Sequence, residues 1–169
     1  MATMDAAKNA NLDVWKVQAL QQAIDAAEAA KAALGELYVA GVEPVQVAQF
    51  LLESNWGQAS MGDANNYFGI KALPGEPSID VTTHEVEQGV SVKQQAAFRK
   101  FDSMADCFEA HARLLCTKPA YATARTHGDD PIAFAHALTG VYATDPQYGA
   151  KLESIMRSRG LLETFGFAA

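Results

Sequence analysis

The run Leu52-Glu53-Ser54-Asn55-Trp56-Gly57, followed eight residues later by Asn65-Asn66-Tyr67-Phe68-Gly69-Ile70-Lys71, sets one acidic side chain at the end of an otherwise apolar segment, beside an aromatic residue. Glu43-Pro44 is a helix start signal, because proline early in a helix loses no useful N–H and its φ suits the turn. Val45, Ala48, Leu51 and Leu52 then recur at helical spacing and predict one inward face, and Gly57 supplies a stop. Glu53 therefore falls in the last turn, where unpaired carbonyls disfavour a negative charge. Burial beside Trp56 would act in the same direction, since desolvation raises a carboxyl pKa. A raised pKa is what a general acid needs to protonate a leaving oxygen, as in glycosidic cleavage. The competing reading is a solvated surface glutamate near a helix end, and position alone leaves both open.

The elements around this segment read as a helical protein with one polar, hairpin-like insert. Leu20, Ala23, Ile24, Ala27 and Leu34 mark the inward face of a long alanine-rich helix that Gly41 is expected to end. The Pro-Gly-Glu-Pro composition of residues 73 to 78 predicts a loop. Ile79, Val81 and Thr83 alternate with polar neighbours, as do Val90, Val92 and Phe98 beyond Gly89, which predicts a two-stranded β-ribbon over residues 79 to 98. Glu85 falls near its tip, where solvated carboxylates are also common. Ser103 and Asp106 form a capping pattern for a helix whose Phe108, His111 and Leu115 share a face, and Asp130-Pro131 and Asp145-Pro146 predict two more helix starts. Cys107 and Cys116, nine residues apart on one such helix, would stand about 13 Å apart at ~1.5 Å per residue, too far for a disulfide. Buried free thiols are expected.

Composition narrows the classes. With 169 residues, 49% hydrophobic and 20% charged, the chain suits a single domain with a real core. A net charge of -7 argues against a nucleic-acid partner, which needs clustered Lys and Arg. No segment approaches the roughly 20 apolar residues that span a bilayer, and residues 1 to 11 lack the pattern of a signal peptide, so no membrane insertion is expected. His84, His111, His127 and His136 show no zinc-type spacing, and no Gly-x-Ser-x-Gly elbow marks a serine nucleophile; no metal and no cofactor are expected.

The run from Ala48 to Gly57, then Asn65 to Ala72, resembles the signature of glycoside hydrolase family 73, the peptidoglycan N-acetylglucosaminidases of autolysins and flagellar muralytic proteins. Further blocks follow in the family's order: Thr82-Thr83-His84-Glu85 ahead of Gly89, Phe98-Arg99-Lys100-Phe101-Asp102-Ser103, and Tyr142-Ala143-Thr144-Asp145-Pro146-Gln147-Tyr148 before Lys151-Leu152. The resemblance implies a mainly α (α+β) fold, a lysozyme-like helical bundle with a small two-stranded ribbon lobe beside the cleft. Residues 1–169 would form one domain, with residues 1–35 a helical extension packed on it. It makes Glu53 the general acid and Glu85 a base or stabiliser of the oxocarbenium-like transition state, leaving Glu87 solvent-facing. Tyr142 would orient the substrate's N-acetyl group or water. Trp56 and Tyr148 would offer flat faces to sugar rings, and Asn66 and Phe68 would shape the floor behind Glu53 and contact substrate. Asn55 and Val141 stand where the family pattern has glycine; both departures touch the cleft wall and bear on subsite preference.

The implied substrate is the β-1,4 bond between N-acetylglucosamine and N-acetylmuramic acid. The alternatives are a muramidase or lytic transglycosylase cutting the other linkage, or a noncatalytic wall-binding module. Action in the periplasm or cell wall without a signal peptide would suit an antibacterial effector or a phage endolysin. An effector would imply an immunity protein occluding the cleft.

Overall fold

The computed structural model describes residues 1–169, the Glu85 side chain excepted. The alanine-rich helix α1 (Val14–Leu34) buries Leu20, Ala23, Ile24, Ala26, Ala27, Ala30 and Leu34, and these small side chains let it lie close against its neighbours. It ends at Gly35, not Gly41, because Gly35 takes the positive φ of 55° that closes a helix cheaply. Gly41 instead caps the start of the next helix, where an added Cβ would come within 2.9 Å of the Gly128 carbonyl oxygen.

That next helix, α2 (Val42–Glu53), runs through the middle of the bundle and touches helices on several sides. Every residue from Val42 to Leu51 is buried, so the single inward face expected from its periodicity is a helix wrapped all round. Leu52 is only half-buried. Full burial forces its polar residues to find partners. Glu43 meets Lys31 at 2.9 Å, and Gln46 donates to the Phe108 carbonyl at 2.7 Å. The helix stops at Glu53 because Ser54 folds back, its hydroxyl donating to the Phe50 carbonyl at 2.6 Å and accepting from Gly57 N at 2.8 Å. Asn55, Trp56 and Gly57 then take positive φ in succession. Gly57 is required as well by space, since a Cβ there would lie 2.9 Å from the tip of the Phe50 ring.

Strands β1 (Ser78–Glu87) and β2 (Val90–Arg99) form the expected antiparallel ribbon, in a register pairing Ile79 with Phe98 and Glu85 with Val92. Gln88 and Gly89 turn it with φ of 49° and 80°, the signs a two-residue hairpin turn needs to match the strand twist. Lys71 adds a short antiparallel bridge to Phe98 at the ribbon's base. Asn66 ties that base to the bundle: its amide donates to the Ile70 and Arg99 carbonyls at 2.8 and 2.9 Å and accepts from Ile70 N at 3.1 Å.

Helix α3 (Met104–Thr117) opens on the Ser103 hydroxyl, which accepts from Asp106 N at 3.1 Å, and turns Phe108, His111 and Leu115 inward as their spacing predicts. Cys107 and Cys116 lie on it as free, buried thiols, and burial pushes Cys107 up to about 12. After the short α4 (Ala122–Arg125), α5 (Pro131–Ala137) starts at the expected Asp130-Pro131 signal, with the Asp130 carboxylate accepting from Ala133 N at 3.1 Å. The second such signal acts differently. Asp145 closes a turn by accepting from Gln147 N at 2.9 Å, and α6 (Tyr148–Ser158) begins only after it. The turn thus delivers Tyr148, not Pro146, as the first helical residue. Helix α7 (Leu161–Thr164) completes the core.

Candidate active site

Three elements converge on Glu53: the end of α2 that carries it, the start of α6, and the turn before α6. The Tyr148 hydroxyl donates to Glu53 Oε1 at 2.9 Å and accepts from Gln49 Nε2 at 2.8 Å. Gln49 stands one turn before Glu53 on α2, so the two side chains share a helix face and reach the same hydroxyl. The Tyr142 ring stacks parallel on Tyr148 with centroids 5.8 Å apart, and its hydroxyl makes a long, 3.4 Å contact with the Phe68 carbonyl. Burial drives both phenols well above their ordinary range, with the neighbouring Glu53 charge adding to it, so both hydroxyls keep their protons and act as donors.

Behind this pair lies a buried polar-aromatic layer. His111 stacks on Phe68 at a centroid distance of 3.7 Å and meets Gln46 Nε2 through Nδ1 at 2.9 Å. Tyr142 packs edge-on against the same imidazole. Burial lowers His111 to about 3, so this layer holds a neutral ring. In front of it a groove of about 990 Å³ runs between the ribbon's base and α3. Ile70, Arg99 and Phe101 line one wall, Glu109 and Arg113 the other, and Tyr121 and Tyr142 close the end.

The expected site residues distribute unevenly. Glu53 is exposed at the end of its helix, not buried beside Trp56. Three consecutive left-handed residues carry the chain away from the helix axis, and the Trp56 ring lies near Lys16 Nζ and Arg159 Cζ, at 5.1 and 5.3 Å. Both cations stand over that ring. Tyr148, 3% exposed, has no face for a sugar and serves through its hydroxyl instead. Asn66, 1% exposed, spends its amide on backbone and cannot contact substrate. Phe68, 6% exposed, supports the floor as expected, stacked on His111, and presents mainly its carbonyl to Tyr142. Tyr142 borders both groove and Tyr148. Glu87 is exposed and accepts from Gln94. The backbone of Glu85 lies in β1, and its side chain lies outside the described residues. Gln46, Gln49 and His111 were missed by sequence reasoning. Their signal was present: Gln46, Gln49 and Glu53 form a polar stripe at i, i+3 and i+7 on an otherwise apolar helix.

Residues 27–161 match the glucosaminidase family model, described as mannosyl-glycoprotein endo-beta-N-acetylglucosaminidase. The chain belongs to this family. The match agrees with the resemblance to glycoside hydrolase family 73 carried by the Glu53, Glu85 and Tyr142 blocks. The chain is 37% identical over 113 residues to the peptidoglycan hydrolase FlgJ of Vibrio cholerae, covering 63% of this chain and 34% of that protein. It is 38% identical over 125 residues to a probable N-acetylmuramidase of Lactococcus lactis, covering 69% of this chain and 28% of that one. It therefore spans about a third of the length of these curated relatives. Among solved structures, the C-terminally truncated glycoside hydrolase domain of Salmonella typhimurium FlgJ superposes with a TM-score of 0.64 at 31% identity, covering 88% of this chain and 97% of that one. The lysozyme-like, mainly helical architecture with a small antiparallel sheet is the one such glycoside hydrolases share. Among the described residues, no three His, Cys, Asp or Glu side chains gather where they could hold a metal, and no helix is long and apolar enough to cross a membrane.

Proposed function

We propose that this glucosaminidase-family chain cleaves the β-1,4 bond between N-acetylglucosamine and N-acetylmuramic acid in peptidoglycan. The observation that carries the reading is the geometry at Glu53: Tyr148 holds Oε1, while Oε2 takes no protein hydrogen bond among the described residues and the side chain as a whole is exposed. Such a carboxyl can hand a proton from Oε2 to the bridging oxygen, and the carboxylate left behind keeps a donor on Oε1. A glycan strand seated over the carboxyl excludes water from it as the proton is passed. Glu85, on the ribbon, acts as the base or as stabiliser of the positive charge that develops on the sugar ring. The Tyr142 hydroxyl, held by one long contact, turns to the N-acetyl group or to water. The names of the Vibrio and Salmonella relatives support the substrate and the bond type. Peptidoglycan lies outside the cytoplasmic membrane, so the chain acts in the periplasm or wall. Gene neighbours test delivery: a holin gene marks a phage endolysin, and a small periplasm-directed gene marks an effector with its immunity protein.

The lactococcal relative's name favours a second reading, cleavage of the other glycan linkage. Digestion of purified peptidoglycan separates the two. N-acetylglucosamine is expected at the new reducing end; N-acetylmuramic acid or an anhydro-sugar there overturns the assignment. In the same assay Glu85→Gln is expected to lower kcat roughly 10- to 100-fold without changing the fold, and native turnover by that variant removes Glu85 from the mechanism.

A further inference from the structure

We propose that Gln49 is a positioning residue for the reaction: its side-chain amide sets the direction of the Tyr148 hydroxyl, so that Glu53 accepts on Oε1 and carries its transferable proton on Oε2. The inference rests on the reading of Glu53 as general acid.

A phenol has one hydrogen to give, and it has two partners here. Gln49 Nε2 donates to the Tyr148 oxygen, which leaves that single hydrogen for Glu53. With the amide reversed, Gln49 Oε1 would compete for the hydrogen and Tyr148 would turn a lone pair toward Glu53. The carboxyl could then satisfy the phenol only by placing its own proton on Oε1, the oxygen that Tyr148 holds. One amide orientation thus leaves the acid's proton on the oxygen free of the protein, and the other puts it on the oxygen the protein holds.

Burial makes this setting rigid. Gln49 is 0% exposed and Tyr148 3% exposed, so water cannot replace either partner. The parallel Tyr142 ring fixes the plane of the phenol. Gln49 and Glu53 ride one turn apart on the most enclosed helix of the bundle, so their separation is set by backbone geometry. A purely structural role accounts poorly for the residue. Among the described residues Gln49 Oε1 has no hydrogen-bond partner, so the amide keeps a buried carbonyl unsatisfied, and an apolar side chain of the same size would suit the core better. Its N–H is the part in use.

The test compares Gln49→Met, Gln49→Glu, Tyr148→Phe and the double variant Gln49→Met with Tyr148→Phe, each checked for native circular dichroism, on purified peptidoglycan from pH 4 to 9. Gln49→Met is expected to lower kcat about tenfold, the worth of one well-placed hydrogen bond, with KM unchanged. A general acid loses activity as pH rises and it deprotonates. Tyr148→Phe removes the donor that favours the charged form and therefore moves the alkaline limb of the kcat profile to higher pH; Gln49→Met leaves that donor in place but free to turn away from Glu53, and is expected to move the limb in the same direction by a smaller amount. The double variant is expected to be no slower than Tyr148→Phe, because Gln49 acts only through that hydroxyl. Gln49→Glu, nearly isosteric, captures the hydroxyl as an acceptor and is expected to lose at least as much. Native kcat and pH profile in a folded Gln49 variant, or additive losses in the double variant, overturn the proposal. Should neither Gln49 variant fold, an unshifted alkaline limb in Tyr148→Phe overturns it and a shifted one sustains it. Glu53→Gln is run alongside: if it stays active, the general-acid reading itself fails, whereas an inactive Glu53→Gln beside a native-like Gln49→Met sinks only this inference.

Discussion

Glu53→Gln is expected to lower kcat on peptidoglycan by roughly 10²- to 10⁴-fold, the range contributed by a positioned proton donor. The amide keeps the shape of the carboxyl, and its oxygen can still accept from the Tyr148 hydroxyl that now reaches Oε1 at 2.9 Å. What it cannot do is release a proton to the leaving sugar. Because the side chain is exposed at the end of α2, replacing it removes no packing, and the melting temperature should stay close to that of the native protein. Binding of glycan strands should persist, so the loss falls on kcat and not on KM. A variant that retains more than about a tenth of native turnover would show that protonation is not the step Glu53 serves.

The second large effect concerns stability in acid and centres on His111. The ring is 1% exposed, stacked on Phe68, and accepts from Gln46 at Nδ1, which places its hydrogen on Nε2, where no protein partner stands among the described residues. Burial lowers it to about 3 in the folded chain, against about 6.5 for an exposed histidine. The folded state therefore refuses a proton that the unfolded state accepts. Above pH ~6.5 neither state is charged and the penalty is absent; as pH falls toward 3, stability drops by about 1.4 kcal/mol per unit. At pH 4.5 the loss from this group alone is about 3 kcal/mol, a large part of a small domain's total. His111→Asn keeps an acceptor for Gln46 and removes the titration. Urea unfolding at pH 7 and 4.5 should give the native protein a fall about 3 kcal/mol larger than the variant's. The exposed carboxylates held low by Lys or His partners, Asp145, Glu153 and Glu163, weaken the fold in acid too, but equally in both proteins. Parallel pH dependences would exclude His111 as the source.

Much of this was legible in the chain. The helix ending at Glu53, the ribbon with its turn, the Ser103 cap and the free thiols all follow from local rules, because capping, alternation and left-handed turns depend on residues close in sequence. The misreadings have a common physical origin. Periodicity identifies an inward face only when a helix has an outward one, and α2 has none until Leu52, so nothing in the apolar pattern singled out Gln46 and Gln49. Trp56 is a neighbour of Glu53 in sequence, but the positive φ values at Asn55 and Trp56 itself direct its ring toward Lys16 and Arg159. Tyr148 looked like a sugar platform because the chain gives no sign that a turn at Asp145 would make it the buried first residue of α6. Contacts between residues 99 positions apart, such as Gln49 with Tyr148, leave no local trace.

The two thiols carry a consequence for how this protein matures. Cys107 and Cys116 are fixed on one rigid helix at a separation no crosslink can bridge, each sheltered from solvent and held in its less reactive, protonated form by burial. The fold owes nothing to an oxidant and offers one no foothold. A chain built this way can pass from a reducing to an oxidising environment, or be made wholly in either, and arrive at the same covalent structure without a thiol-exchange catalyst.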